Sequence, residues 1–183
     1  QLSLLVRSGA FRFSGKSKQE LLWEVHQLLS RSKKVVETHN LFRLEAQKFK
    51  LPALDQVDYE DAFDQMELFG FPLCSPFDLL KEKNLEQVAA RDLMQYLHQR
   101  VTMVGYLVTI KNTRTMKGDR MQFGTFVDKA GDWIDTVHFP PVAKQYYFRG
   151  KGCYKVCGKV VEEFGYATVE VIQMERLDYV ERR

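Results

Sequence analysis

The chain has 183 residues, of which 45% are hydrophobic and 28% are charged. These proportions are typical of a globular protein with one ordinary domain or two small ones, and they exclude a fibrous or intrinsically disordered chain. No apolar run is long enough to span a bilayer, no charged-then-apolar leader opens the sequence, and three scattered cysteines make no disulfide framework. We therefore expect a chain with no membrane partner in a reducing, cytoplasmic compartment.

The net charge is only +3, but the charged residues are distributed along the sequence in four blocks of alternating sign. Residues 1–50 carry ten basic and four acidic side chains, residues 51–100 carry four and ten, residues 101–160 carry ten and four, and residues 161–183 carry three and six. Basic blocks of this kind favour a polyanion as partner, although ordinary solvated surfaces would give the same counts. The complementary signs also suggest that the acidic second block lies against a basic flank.

The first thirty residues are predicted to form two short helices joined by a glycine-containing turn. Apolar residues from Leu2 to Val6 have helical spacing, and Gly9 ends that helix. Ser17 and Glu20 form a Ser-x-x-Glu capping box ahead of an amphipathic stripe. This is the outline of a helix-hairpin-helix motif, in which turn amides and nearby cations hold a DNA phosphate; a plain helical hairpin is the alternative. The candidate contacts to duplex DNA are Arg12, Lys16 and Lys18.

The next part of the chain offers a candidate docking peptide and a third helix. Leu41-Phe42 lies in a polar, loop-like segment, and two adjacent apolar side chains can anchor in a partner's pocket, unless both pack within this domain. A helix is predicted over residues 58–69, with Asp58 as its cap and Gly70 as its end. Its acidic residues are interpreted as a solvated helix face rather than a metal cage.

From about residue 100 the periodicity changes from helical to alternating, with turns at Gly118-Asp119, at residues 129–131 and at Phe164-Gly165. Glycines within the strands permit the sharp coiling of a small closed barrel. The predicted fold class is therefore α+β: an N-terminal short-helix region followed by a five-stranded OB-fold β-barrel, with a longer insert between the third and fourth strands. The strands are predicted over residues 100–110, 120–128, 132–139, 152–162 and 166–176.

Barrels of this type bind nucleic acid across strands 2 and 3 and through the loops that join strands 1–2 and 4–5. The 1–2 loop, residues 111–120, carries four basic side chains against one acid. Cations that follow a phosphate backbone, with aromatic side chains on which bases stack, are what single-strand binding needs. Phe123 and Phe126 have opposite parity, so at most one faces the groove, and core packing is the alternative for each aromatic. The candidate nucleic-acid-binding residues are Lys111, Arg114, Lys117, Arg120, Phe123, Trp133, Lys144 and Arg149.

The sequence contains no recognisable catalytic or metal-binding constellation. It has no P-loop, no paired acids in a predicted pocket and no supported Ser-His-Asp grouping. Cys153 and Cys157 lack a second pair, which makes them a poor zinc signal, and His138 is predicted to be structural. We therefore predict no catalytic residue, no metal and no cofactor in this segment.

Three blocks of sequence, in order, resemble the bacterial DNA polymerase III alpha subunits. The segment that begins at Leu5 is similar to the "L-I-x-x-G-A-F-D" segment closing the helix-hairpin-helix region of that family. Residues 67–73, Glu-Leu-Phe-Gly-Phe-Pro-Leu, are similar to its connector. Residues 104–140, which include Thr-Met-Lys-Gly-Asp-Arg-Met-Gln-Phe, are similar to its OB domain. The resemblance implies the end of a helix-hairpin-helix and clamp-binding region over residues 1–57, a helical connector over 58–98 and an OB-fold domain over 99–183.

The resemblance implies that the chain is a C-terminal piece of a DNA-directed DNA polymerase, a nucleotidyltransferase of DNA replication. Its Mg²⁺-binding carboxylates would lie in a palm domain upstream. The OB domain is expected to bind single-stranded template DNA, and the preceding region to contact duplex DNA, the sliding clamp and other replisome subunits. The family's clamp motif resembles Gln-x-x-Leu/Met-Phe; here Leu41 and Phe42 match it without the Gln, and Met116 replaces the usual first Lys of the OB loop.

Two other functions are compatible with the same residues. The barrel could dock other replisome subunits, with the basic loop as a bystander. Alternatively, the chain is a stand-alone RNA-binding OB-fold protein, which would recognise 2′-hydroxyl groups.

Overall fold

The computed structural model describes residues 1–31, 58–85 and 87–181. These residues fall into two compact units, which divide in sequence between Leu73 and Cys74. The predicted division into three regions, residues 1–57, 58–98 and 99–183, stays a prediction. The candidate docking residues Leu41 and Phe42 lie outside the described residues.

The first unit contains helices α1 (Leu2–Arg7), α2 (Lys18–Arg31) and α3 (Glu60–Phe69), with a short 3-10 helix at Arg12–Ser14. The predicted capping box is confirmed, because the Ser17 amide donates to Glu20 Oε2 at 2.8 Å and the Glu20 amide donates to Ser17 Oγ at 3.2 Å. Hydrogen bonds to its carboxylate from the Ser17 backbone amide and the Ser17 side chain lower the pKa of Glu20, since they favour the charged form. The capping box therefore fixes the start of α2 as predicted.

Helix α3 ends as predicted but begins differently. Gly70 has φ of 80°, the left-handed conformation that glycine adopts at helix ends, and its amide donates to the Met66 carbonyl. Asp58 does not occupy the cap position; Tyr59 does, with φ of 60°, and its side chain makes no capping hydrogen bond. The predicted cap was wrong because the cap position, and with it the start of the helix, lies one residue later than the apolar pattern indicates.

One acidic residue of α3 is buried in ion pairs, so the interpretation as a solvated face was wrong for Asp64, whereas Asp58 and Glu67 are exposed. Asp64 is 1% exposed, and its two carboxylate oxygens lie 2.9 Å from Arg7 Nη2 and 2.8 Å from Lys18 Nζ. Lys18 Nζ also lies 2.6 Å from Asp61 Oδ1. The suggestion that the acidic block lies against a basic flank is thus confirmed within this unit.

The second unit is a closed five-stranded barrel with the strand order β1-β2-β3-β5-β4, in which only β3 and β5 pair in parallel. Together with the short helices this confirms the predicted α+β, OB-fold class. Strand β1 runs four residues beyond its predicted end, because its last residues pair with the start of β2. Helix α4 (Pro140–Gln145) is the insert between β3 and β4. The strands are β1 (Arg100–Arg114), β2 (Arg120–Val127), β3 (Trp133–His138), β4 (Cys153–Glu163) and β5 (Tyr166–Arg176).

Two clusters of buried side chains stabilise this unit. The larger fills the barrel and includes Leu107, Phe126 and Tyr154. The smaller packs the segment before the barrel, through Phe77 and Leu80, against β1 and β4. That segment, with 3-10 helices at Pro76–Leu79 and Ala90–Tyr96, therefore belongs to the barrel unit.

Glycine inside strand β4 is required by close packing. A Cβ atom at Gly158 would lie 2.4 Å from the Glu170 carbonyl oxygen and 2.5 Å from Val169 Cγ1. Backbone atoms of a neighbouring strand cannot move aside without disrupting the sheet, so the close approach of β4 and β5 here depends on glycine.

We expect Gly158→Ala to lower the free energy of unfolding by about 3 kcal/mol, at the upper end of the cost of overpacking. Urea unfolding of the chain measures it. Gly124→Ala is the matched control, because its nearest atoms, at 2.9 Å, are the ends of the Phe148 and Thr136 side chains, and we expect a smaller cost. An equal cost for both variants would contradict the backbone explanation.

Candidate nucleic-acid interface

The register of the barrel places three predicted binding residues, Lys111, Phe123 and Trp133, on one outer face. Arg114 and Arg120 have the opposite parity, which they share with the core residue Phe126. Lys111 pairs with Phe123, which pairs with Val137, so these three form a row across the strands. Phe123 is half-buried on this outer row, whereas Phe126 is 1% exposed in the core. The parity argument is confirmed: one phenylalanine faces outward and the other fills the barrel.

The predicted basic loop is an ordered hairpin end, which we call the basic hairpin (residues 111–120). The Thr115 amide donates to the Asp119 carbonyl, and the Gly118 amide donates to the Thr115 carbonyl, both at 2.9 Å. Gly118 has φ of 87°, which this tight turn requires. The turn therefore presents Lys117, at its tip, to solvent on a fixed backbone.

Two arginines form the last paired position of β1 and β2 before the turn of the basic hairpin. Arg114 and Arg120 are exposed and directly opposite each other, and like charges in this position destabilise a strand pair. Arg120 Nη2 donates to Asn112 Oδ1 at 3.1 Å, an acceptor that Gln122 Nε2 shares at 2.8 Å. Among the described residues, no carboxylate forms an ion pair with either guanidinium group. Two unpaired cations held side by side are suited to a phosphate group.

A cluster of exposed aromatics, which we call the aromatic end, lies at the other end of the same face. Trp133 is 65% exposed and starts β3; Tyr166 is 78% exposed and starts β5. Because Asp135 is in register with Thr168, the residues two positions earlier are neighbours on adjacent strands.

Phe164 extends this aromatic end, at the tip of the β4–β5 hairpin. Its side chain is fully exposed, and its φ of 53° is unusual for a bulky residue in a two-residue turn, where Asn, Asp or Gly is preferred. Backbone strain of this kind is concentrated at functional sites. The structure thus presents three aromatic rings to solvent at the end of the face away from the basic hairpin.

The remaining predicted residues of the barrel, Lys144 and Arg149, lie on α4 and in the segment after it rather than on the β2–β3 face. Helix α4 packs against β2 and β3, and β3 ends where β2 begins, because His138 pairs with Gln122. Both cations are exposed, and the Arg149 guanidinium lies 5.2 Å from the centre of the Tyr147 ring. Lys144, on α4, therefore adds positive charge at the end of the barrel where the basic hairpin begins.

The predicted duplex-DNA contacts of the first unit are all engaged in ion pairs. Arg12 pairs with Asp61 at 2.8 Å and Lys16 with Glu24 at 2.5 Å. The Lys18 side chain is only 9% exposed beneath Asp61 and Asp64. A phosphate would have to compete with these carboxylates, and duplex binding here stays a prediction.

His138 is structural, as predicted. It is completely buried, and burial lowers its pKa to about 4. Its Nε2 lies 3.0 Å from Thr136 Oγ1, which itself donates to the Gly124 carbonyl at 2.8 Å. The imidazole is therefore a neutral part of the barrel interior.

Sequence reasoning missed three exposed residues of this face. Phe164 and Tyr166 were interpreted only as a turn and the start of a strand, and Met116 only as a departure from a motif. The sequence signal that could have indicated this site is a pair of aromatic residues, one on each side of Gly165. They lie in the loop between strands 4 and 5, which OB-folds use for binding. Met116 is fully exposed at the tip of the basic hairpin.

Fold and surface together define an OB-fold barrel with a basic and aromatic outer face. In sequence, the chain is 31% identical over 143 residues to DNA polymerase III subunit alpha of Aquifex aeolicus, in an alignment that covers 77% of this chain and 12% of that protein. This confirms the predicted resemblance: the chain is related to the DNA polymerase III alpha subunits, and it spans about an eighth of the length of that relative. No protein-family model matches the chain.

Several solved structures are similar in fold at low identity. A single-stranded DNA binding protein from Thermus aquaticus has 18% identity and a TM-score of 0.41, over 46% of this chain and 42% of that one. The protein PriB from Ralstonia solanacearum has 11% identity and a TM-score of 0.36, over 42% and 95% of the two chains. The second OB-fold domain of replication protein A from Methanococcus maripaludis has 14% identity and a TM-score of 0.35, over 46% and 90%. The fold assignment rests on the strand order and register given above.

Among the described residues, no helix combines the length and the apolar character needed to cross a membrane. Within the same residues, no three His, Cys, Asp or Glu side chains are grouped so that they could hold a metal ion.

Proposed function

We propose that this chain binds single-stranded DNA along the outer face of β1–β3, between the basic hairpin and the aromatic end. The observation that carries the proposal is the placement of exposed cations in the basic hairpin at one end of β1–β3 and of exposed aromatic rings at the other end. Lys111, Arg114, Lys117 and Arg120 supply phosphate contacts, while Phe123, Trp133 and Tyr166 offer rings on which bases stack.

The dimensions of the face suit a short single strand. Strand β2 has eight residues between the basic hairpin and the turn before β3, which is about 26 Å at 3.3 Å per residue. OB-folds occupy about 4–16 nucleotides of single strand each. We propose that one strand contacts both ends of the face at once.

The relationship to the polymerase alpha subunits supports a wider proposal about the parent protein. We propose that it is a cytoplasmic DNA polymerase of DNA replication, with Mg²⁺ held by carboxylates outside this chain and with this segment holding the template strand. We also propose that Leu41 and Phe42 bind the sliding clamp, a proposal that rests on their sequence motif. Duplex DNA and other replisome subunits are further proposed partners.

The test of single-strand binding is fluorescence anisotropy of this chain with a labelled oligothymidine of about 20 nucleotides at several salt concentrations. We expect binding whose affinity falls with salt, with a slope of about −0.7 for each phosphate contacted, because binding releases counterions.

Duplex DNA and RNA of the same length serve as competitors in that titration. A preference for RNA would favour the stand-alone RNA-binding alternative instead. If no single strand binds at about 20 mM salt, where screening is weak, the proposal is wrong and the protein-docking alternative takes its place.

A further inference from the structure

Two carboxylates occupy the outer face beside the exposed aromatic rings. Asp135 is the next outward-facing residue of β3 after Trp133, about 7 Å along the strand. Glu163 is the cross-strand partner of Tyr166. Both acids are exposed, and among the described residues neither forms an ion pair. The aromatic end therefore carries two exposed carboxylates without ion-pair partners in the described part of the chain, in contrast to the cations of the basic hairpin.

The position of Asp135 on this face is fixed by a hydrogen bond. Thr125 Oγ1, from the paired position on β2, donates to Asp135 Oδ1 at 2.8 Å. The next outward acid on β5, Glu170, is different, because Lys159 lies opposite it in the register of β4 and β5. The uncompensated negative charge is thus concentrated at Asp135 and Glu163.

A single strand and a duplex respond differently to such a surface. A single strand can turn its bases toward the aromatic rings, which leaves its phosphates pointing to solvent, away from the carboxylates. A duplex keeps its bases stacked inside and can only present phosphates to the face. Like charges at about 8 Å repel by about 0.5 kcal/mol in water, which is a two- to threefold change in affinity for each carboxylate.

We propose that Asp135 and Glu163 are specificity-determining residues, which make the face select single-stranded over duplex DNA by repelling a phosphate backbone at the aromatic end. This inference rests on the proposed single-strand binding. It assigns the aromatic end to unpaired bases and the basic hairpin to phosphates, so that the two ends of one face recognise different parts of the same strand.

The experiment compares Asp135→Asn, Glu163→Gln and the double variant with the unchanged chain, by anisotropy with labelled single-stranded and duplex DNA of about 20 residues at about 20 mM salt. Asparagine still accepts the Thr125 hydrogen bond, so the local structure is retained. Glu175→Gln is the matched control: it removes an exposed carboxylate from the same strand as Tyr166, nine residues further along, which is about 30 Å.

We expect the double variant to bind duplex DNA about sixfold more tightly, while its affinity for the single strand changes less than twofold. A gain of binding cannot come from a damaged fold. If the unchanged chain binds single strands but the ratio of the two affinities stays the same in the double variant, or changes equally in Glu175→Gln, this inference is wrong. If the unchanged chain binds no single strand, the proposed function has failed and this inference fails with it.

Discussion

Reversing the charge of the basic hairpin is expected to abolish most of the affinity for single-stranded DNA. The triple variant Arg114→Glu, Lys117→Glu and Arg120→Glu removes three phosphate contacts and adds three repulsive charges. We expect at least about a hundredfold loss at about 50 mM salt and a salt slope shallower by about two, since each lost contact contributes about 0.7. Anisotropy titrations across a range of salt concentrations measure both quantities.

The matched control for this variant reverses three exposed cations outside the outer face: Lys81→Glu and Lys83→Glu in the segment before the barrel, and Lys151→Glu before β4. It changes the net charge by the same amount but leaves the outer face of β1–β3 unchanged. Long-range repulsion between exposed charges is largely screened beyond about 10 Å at 0.1 M salt, so we expect the control to lose only a few-fold in affinity. Equal losses in the two triple variants would show that net charge alone, and not the basic hairpin, controls binding.

Removing the buried carboxylate of the first unit is expected to destabilise its helices strongly. In Asp64→Ala, Lys18 stays nearly buried without one of its two close carboxylate partners, and Arg7 loses the acid to which it donates two hydrogen bonds. Breaking a buried ion pair by removing one partner costs about 3–5 kcal/mol. We expect about 3 kcal/mol here, because Asp61 and Glu67 still pair with the two cations.

Urea unfolding measures this loss, because urea, unlike guanidinium, does not screen ion pairs. A Trp133→Phe background leaves Trp23, on α2, as the single tryptophan and hence as a reporter of the first unit. Glu67→Ala is the control, because its carboxylate is 58% exposed although it also pairs with Arg7. Exposed pairs contribute about 0–1 kcal/mol, and an equal loss in both variants would contradict the role assigned to burial.

The same ion pairs make the stability of this unit depend on pH. Burial alone would raise the pKa of Asp64, but hydrogen bonds and charges from Arg7 and Lys18 outweigh it, and the pKa lies below its usual value. A depressed carboxylate pKa contributes stability that is fully present above the unfolded pKa, about 3.9, and is lost as the pH falls through the folded value. The difference in stability between the unchanged chain and Asp64→Ala is therefore expected to be constant near neutral pH and to shrink below about pH 4.

Much of the barrel could be predicted from the sequence, because its strands alternate and its turns contain glycine. Strand β5 has the predicted limits, and the others differ by a few residues. The longer β1 was missed because Lys111 to Arg114 are polar and exposed, so the alternation that signals a half-buried strand ends before the backbone pairing does. Pairing with β2 continues there because it needs only backbone groups.

The candidate site was predicted only in part, because exposure depends on register and backbone conformation. The cations of residues 111–120 were found from charge alone. The role of Tyr166 required knowing that β3 and β5 are parallel neighbours, which no local pattern reveals. Likewise, Asp64 and Lys18 are 46 residues apart, and only the hydrogen bond between the start of α2 and α3 shows that their charges are internal.

The smaller buried cluster has a consequence for the barrel unit as a building block. Leu80 and Tyr179 form a backbone bridge, and the Lys81 amide donates to the Asp178 carbonyl, so the chain enters and leaves this unit at one place. Domains whose ends are close together tolerate insertion and circular permutation. A larger protein can therefore contain this barrel as a domain joined to the rest by two adjacent linkers. Such a domain can be gained, lost or moved during evolution without a change in the fold of the parts to which the linkers are joined.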